Sequence, residues 1–70
     1  MPEYQVRVIA EKDELSRKLG ALSLFIDEGA VFPTLPAAEQ ARLRYQRLVM
    51  TGYLNVLVDR IANFPVFSDG

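Results

Sequence analysis

The residues with the most chemical potential lie in one run, Arg42-Leu43-Arg44-Tyr45-Gln46-Arg47. Arginine beside an aromatic ring is the combination enriched at interface hot spots. The same two groups hold the phosphate and base of a nucleotide. The plainer alternative is that Arg42 and Arg44 are solubilising charges and Tyr45 is half-buried. Tyr4 and Arg7 repeat the pairing more sparsely near the other end of the chain. A third cluster, Glu11, Asp13 and Glu14, has Lys18 and Arg7 within helical reach. That spacing describes a solvated ion-pair face and not an acid/base dyad.

Covalent chemistry has no comparable set. Ser16, Ser23 and Ser68 lack a base, because the chain has no His. Cys is also absent, so there are no disulfides and no thiolate sites, and only carboxylates remain for hard cations. No carboxylate-histidine pair and no glycine-rich phosphate loop is present. The expectation is a protein that is not an enzyme, with no catalytic residues, no cofactor and no metal. Eight Lys+Arg against nine Asp+Glu give a net charge of −1, which provides no basic footprint for duplex nucleic acid. The apolar runs fall far short of the ~20 residues that span a bilayer. The opening MPEYQVRV lacks the apolar stretch of a signal peptide. No membrane association and a cytoplasmic location are expected.

The elements that must position these residues follow from periodicity. With 70 residues the chain forms one domain at most. From Glu3 to Glu28 there is no proline, and Leu15, Leu19, Leu22 and Ile26 continue a stripe begun by Val8. This predicts a first helix over about 3–28, with Pro2 in its first turn and Gly29 just past its end. Ala30–Leu35 reads as a tight connection in which Phe32 and Leu35 plug the end of a hairpin. A second helix is predicted over about 36–64, stopped by Pro65 and followed by a short C-terminal tail. Its stripe is Leu43, Met50, Leu54, Leu57, Ile61 and Phe64, with Arg47 at the vacant step. Helices of nearly equal length on a short linker form an antiparallel hairpin. The stripes pair as Ile26 with Leu43, Leu19 with Met50, Leu15 with Leu54 and Val8 with Ile61. Two mixed levels remain, Leu22 with Arg47 and Lys12 with Leu57, where the long side chains lay their methylenes over the seam.

Further apolar residues do not fit that seam. Helix 2 carries Tyr45, Val49, Tyr53 and Val56, and helix 1 carries Val6, Ile9, Ala21 and Phe25. A lone hairpin would leave a larger patch in water than soluble monomers usually show. The fold class expected is therefore all-α, an antiparallel two-helix hairpin dimerising into a four-helix bundle. Val49, Tyr53, Val56 and Phe25 would lie in the homodimer interface, and Gly20 and Gly52 would permit close helix approach.

Three stretches then resemble a family of short phage and prophage proteins. The first is Tyr4, Arg7, Val8, Glu11, Lys12, Glu14 and Leu15. The second is Phe32, Leu35, Pro36, Glu39, Gln40, Arg42, Leu43 and Gln46. The third is Met50, Tyr53, Leu57, Arg60, Ile61 and Phe64. Together they cover nearly the whole chain. In size, helical build and lack of catalytic residues the chain is also similar to the anti-quorum-sensing proteins of Pseudomonas phages. Those are dimeric two-helix proteins that bind a LuxR-type transcription activator and a type IV pilus assembly ATPase. The resemblance implies a phage protein that acts in the host cytoplasm by docking on a host regulatory protein and blocking it. Partner binding would fall to Arg42, Tyr45 and Val49, with Tyr4 and Arg7 as the second place to look. A different class of small phage helical protein sequesters cyclic-nucleotide defence signals in oligomeric pockets. The Arg and Tyr content is compatible with that alternative, and the acidic net charge argues against it.

Overall fold

The computed structural model describes residues 1–66 and shows the expected all-α hairpin. Helix α1 spans Glu3–Glu28, and helix α2 spans Ala37–Ala62. Between them lies one turn of 3-10 helix, Phe32–Thr34. The two helices pack against one another along their length.

Both helices begin in the same way. Pro2 and Pro36 each precede the first turn instead of joining it, with ψ of 147° and 145°. The Pro2 carbonyl accepts from the amides of Gln5 and Val6, and that of Pro36 from Glu39 and Gln40. An acidic residue, Glu3 or Glu39, then stands in the first turn, at the positive end of the dipole. At the far end α2 stops two residues short of Phe64. The Asn63 amide N–H still closes the last turn on the Asp59 carbonyl, where the Asn63 side-chain amide joins it at 2.8 Å, and Pro65 then ends the helix because it disfavours helical backbone at Phe64 and has no N–H to give.

The connection is more structured than its proline and glycine content suggested. Pro33 sits inside the 3-10 turn, where its fixed φ is an advantage. The Thr34 amide and hydroxyl both donate to the Val31 carbonyl, at 2.9 and 2.6 Å. Gln40 reaches back from α2 to donate to the carbonyls of Leu35 at 2.9 Å and Pro33 at 3.4 Å. Phe32 is driven inside, 4% exposed, with the edge of the Phe25 ring on it and the Arg44 guanidinium 5.0 Å above it. Gly29 does not adopt the left-handed conformation common after helices, since its φ is −71°. Its role is space: a Cβ there would lie 2.4 Å from the Phe25 carbonyl oxygen.

The core is thin. Val8, Leu15 and Leu57 form its buried centre, with Met50, Leu54, Ile61 and Phe64 packed around them. Leu57 is 1% exposed, the best-covered side chain of the core. Gln5 continues the α1 stripe one step below Val8 and is buried at 4%. Its amide donates, at long range, to the Tyr4 hydroxyl and the Pro65 carbonyl. Tyr4 meets Phe64 edge to face at 5.8 Å, which closes the open end.

A candidate protein-binding face on the outer side of α2

Helix α2 carries more apolar side chains than the seam covers. Leu57 is its one buried residue, whereas α1 buries Gln5, Val8, Leu15 and Ile26. Leu43, Met50, Leu54 and Ile61 are half-buried along the seam, and a second set is exposed: Tyr45 and Leu48 at 67% each, with Val49, Tyr53, Val56 and Val58. Tyr45, Val49, Gly52 and Val56 follow one another at helical spacing, so they share the face opposite the seam. Between Glu39 and Asp59 the only charged residues of α2 are Arg42, Arg44 and Arg47. The outcome is an apolar stripe without an acid between Glu39 and Asp59, which stand at its two ends.

The three arginines are held differently. Arg42 donates from Nε to Glu39 at 2.8 Å and stays on the surface, three residues before Tyr45. Arg44 lies over Phe32, an electrostatic contact with the face of the ring that also covers the turn. Arg47 leaves the stripe for the seam, where it meets Asp27 of α1. Arg42, Tyr45 and Val49 are thus brought together on one exposed face near the loop end of the hairpin. Tyr4 and Arg7 are not part of it. They belong to the opposite end, where the Tyr4 ring is engaged by Phe64 and Arg7 is paired with Glu3 at 2.7 Å.

The residues expected between copies also separate. Val49 and Val56 lie on the outer face of α2. Tyr53 turns toward α1 and borders a shallow depression with Glu11, Glu14, Leu15 and Lys18. Phe25 is half-buried against Phe32. Leu48, as exposed as Tyr45, adds to this face from beside the Tyr45–Val49–Val56 line, off its helical spacing.

The acidic cluster of α1 is an ion-pair face. Glu14 takes Lys18 at 3.3 Å, and Asp13 takes Lys12 at 2.6 Å. The hydrogen bond and charge of Lys12 hold the Asp13 carboxyl below its usual range, with a smaller contribution from Arg17. Arg7 contributes to Glu3 and not to Glu11. Ser16 and Ser23 lie along α1, and Ser68 is outside the described residues. Among the described residues no group of three or more acidic, His or Cys side chains could hold a metal ion. Among them, too, no helix is long and apolar enough to cross a membrane.

With that geometry in place, comparison with known proteins assigns a family. The Sequestin family model matches residues 2–63. The chain belongs to the Sequestin family. A protein of Enterobacteria phage T4, described as an uncharacterized 7.5 kDa protein of the denB-rIIB intergenic region, is 45% identical over 64 residues. The match covers 91% of this chain and 98% of the phage protein, so the two share the whole hairpin. The resemblance to short phage proteins is therefore shown at the level of the family. No solved structure matches.

Proposed function

We propose that this chain is a phage protein that sequesters a host protein by stoichiometric docking through the outer face of α2. The observation that carries this reading is the stripe itself: Tyr45, Leu48, Val49 and Val56 stand in water with Arg42 one turn before Tyr45, and the acids Glu39 and Asp59 stand only at its two ends. An exposed aromatic and arginine next to aliphatic surface is the composition of an interface centre. The name of the family points the same way, toward capture in place of conversion, and its relative in a bacteriophage supports a bacterial target.

A host regulatory protein is the target class, with a LuxR-type quorum-sensing activator first and a pilus assembly ATPase second, on the likeness in size and helical build to phage anti-quorum-sensing proteins. The cationic border of the stripe favours a target surface that is apolar and acidically rimmed. The test is titration of purified candidate targets followed by sedimentation. The expected result is saturation at a fixed stoichiometry, with Tyr45→Ala reducing affinity by about 30-fold, the size of a hot-spot truncation. Binding that is unchanged in both Tyr45→Ala and Arg42→Ala would exclude this face. A thermal shift with cyclic nucleotides and none with protein targets would favour a small-molecule sponge instead.

A further inference from the structure

We propose that a second copy of this chain docks on the outer face of α2 in antiparallel orientation, with Tyr45 of each copy seated over Gly52 of the other. The proposal makes no assumption about the host target.

Gly52 is the first observation. Glycine is the poorest ordinary residue for a helix interior, yet Gly52 stands ten residues before the end of α2. Nothing in the hairpin lies within 4 Å of the place its Cβ would occupy, so no contact inside the chain requires a glycine there. Gly20 of α1 is equally open, but its neighbours one heptad away are Asp13 and Asp27. Gly52 has Tyr45 one heptad before it, on the same apolar stripe and 67% exposed. One face therefore carries both a large ring and a gap at helical repeat distance.

Orientation follows from what each arrangement would place together. Antiparallel pairing that sets Tyr45 on Gly52 also sets Leu48 beside Val49, Ala41 beside Val56 and Ala38 beside Asp59. Large side chains meet small ones at the ring level, and packed interfaces require such interdigitation. Asp59 then arrives at the first turn of the other α2, the positive end of its dipole and one turn from Arg42. Arg60 comes to the level of Ala37, two residues from Glu39. Parallel pairing would stack Gly52 on Gly52, Asp59 on Asp59 and Arg42 on its own copy. Charge and volume both select the antiparallel form.

Because the chain lacks cysteine, the arrangement is open to direct crosslinking. Single cysteines are placed at the exposed positions Ala41, Leu48 and Val56 of the full chain and treated with a short bismaleimide. Leu48→Cys, next to the dyad, should crosslink to itself. Ala41→Cys and Val56→Cys should each remain uncrosslinked, since like positions lie on the order of 20 Å apart in the antiparallel pair. Their mixture should crosslink. Self-crosslinking of Ala41→Cys, or no crosslink in Leu48→Cys and in the mixture while circular dichroism stays helical, would overturn the proposal. In sedimentation, Gly52→Leu should weaken self-association at least about 10-fold, whereas Gly20→Leu should not. Equal self-association of wild type and Gly52→Leu would overturn it independently.

Discussion

Arg47 of α2 reaches across the hairpin and donates from one guanidinium nitrogen to both carboxylate oxygens of Asp27 on α1, at 2.9 and 3.0 Å. The arginine occupies the one step of the α2 stripe that lacks an apolar residue. Its methylenes cover the seam while its charge is met at the edge, so one residue does two jobs. It also removes one of the three clustered arginines from the outer face, and with Arg44 held over Phe32, Arg42 is the one left on the surface a turn before Tyr45.

Those two jobs are separable. The ion pair is open to water, with 60% of the Asp27 side chain exposed, so its own contribution is below about 1 kcal/mol. Asp27→Asn should therefore change urea stability little, and that change should shrink further in high salt. Arg47→Met should retain most of the stability, whereas Arg47→Ala should lose more than Asp27→Asn. Equal losses for Asp27→Asn and Arg47→Ala would show that the charge, and not the aliphatic cover, holds this level.

Leu57 should be the most sensitive position in the seam. Its truncation to alanine opens a cavity at the centre of a small core, at a cost of about 2–5 kcal/mol. A domain of this size has little stability to spare, so Leu57→Ala is expected to be largely unfolded by circular dichroism at room temperature. Val58→Ala, next in sequence but exposed, should melt close to the wild type.

The glycines should respond in opposite directions. At Gly20 nothing meets an added Cβ, and Gly20→Ala should raise stability by roughly 0.4–1 kcal/mol through the unfolded state and helix propensity. At Gly29 the added Cβ would strike the Phe25 carbonyl, which cannot move without disturbing the end of α1. Gly29→Ala should lower stability by about 1–3 kcal/mol in thermal denaturation.

If the target and the second copy share the outer face of α2, they exclude one another. Addition of target should convert the self-associated chain to a heterocomplex, and the apparent affinity should fall as the concentration of this chain rises. Gly52→Leu, which weakens only self-association, should then bind a target that does not enter the Gly52 gap at least as well as wild type. Isothermal titration at two chain concentrations reads both effects.

The hairpin was legible because its seam obeys one period. Each seam residue named from spacing, from Val8 to Ile26 and from Leu43 to Phe64, is buried or half-buried. Gln5 escaped notice because it is polar, although its position continues the stripe one step below Val8. The connection was harder: whether Gln40 points outward or back onto the Leu35 carbonyl depends on where the 3-10 turn leaves that oxygen, and periodicity has no bearing on it. The motifs that carry the resemblance turn out to describe the hairpin itself. Val8, Leu15, Met50, Leu57 and Ile61 are core, while Phe32 and Gln40 hold the turn. Tyr45, Leu48, Gly52 and Val56 lie outside those motifs. A resemblance built on the core identifies a fold, whereas Tyr45, Val49 and Val56 stand out in the sequence as apolar residues that the seam has no place for, and Leu48 becomes visible only through its exposure.

Photocrosslinking in the bacterial host tests the central claim most directly. A benzophenone side chain replaces Val49 on the outer face of α2 or Leu24 on α1, two exposed aliphatic positions on different faces. An adduct with a host protein, beside the self-adduct, is expected from position 49 and none from position 24. A host adduct formed only from position 24 would contradict it.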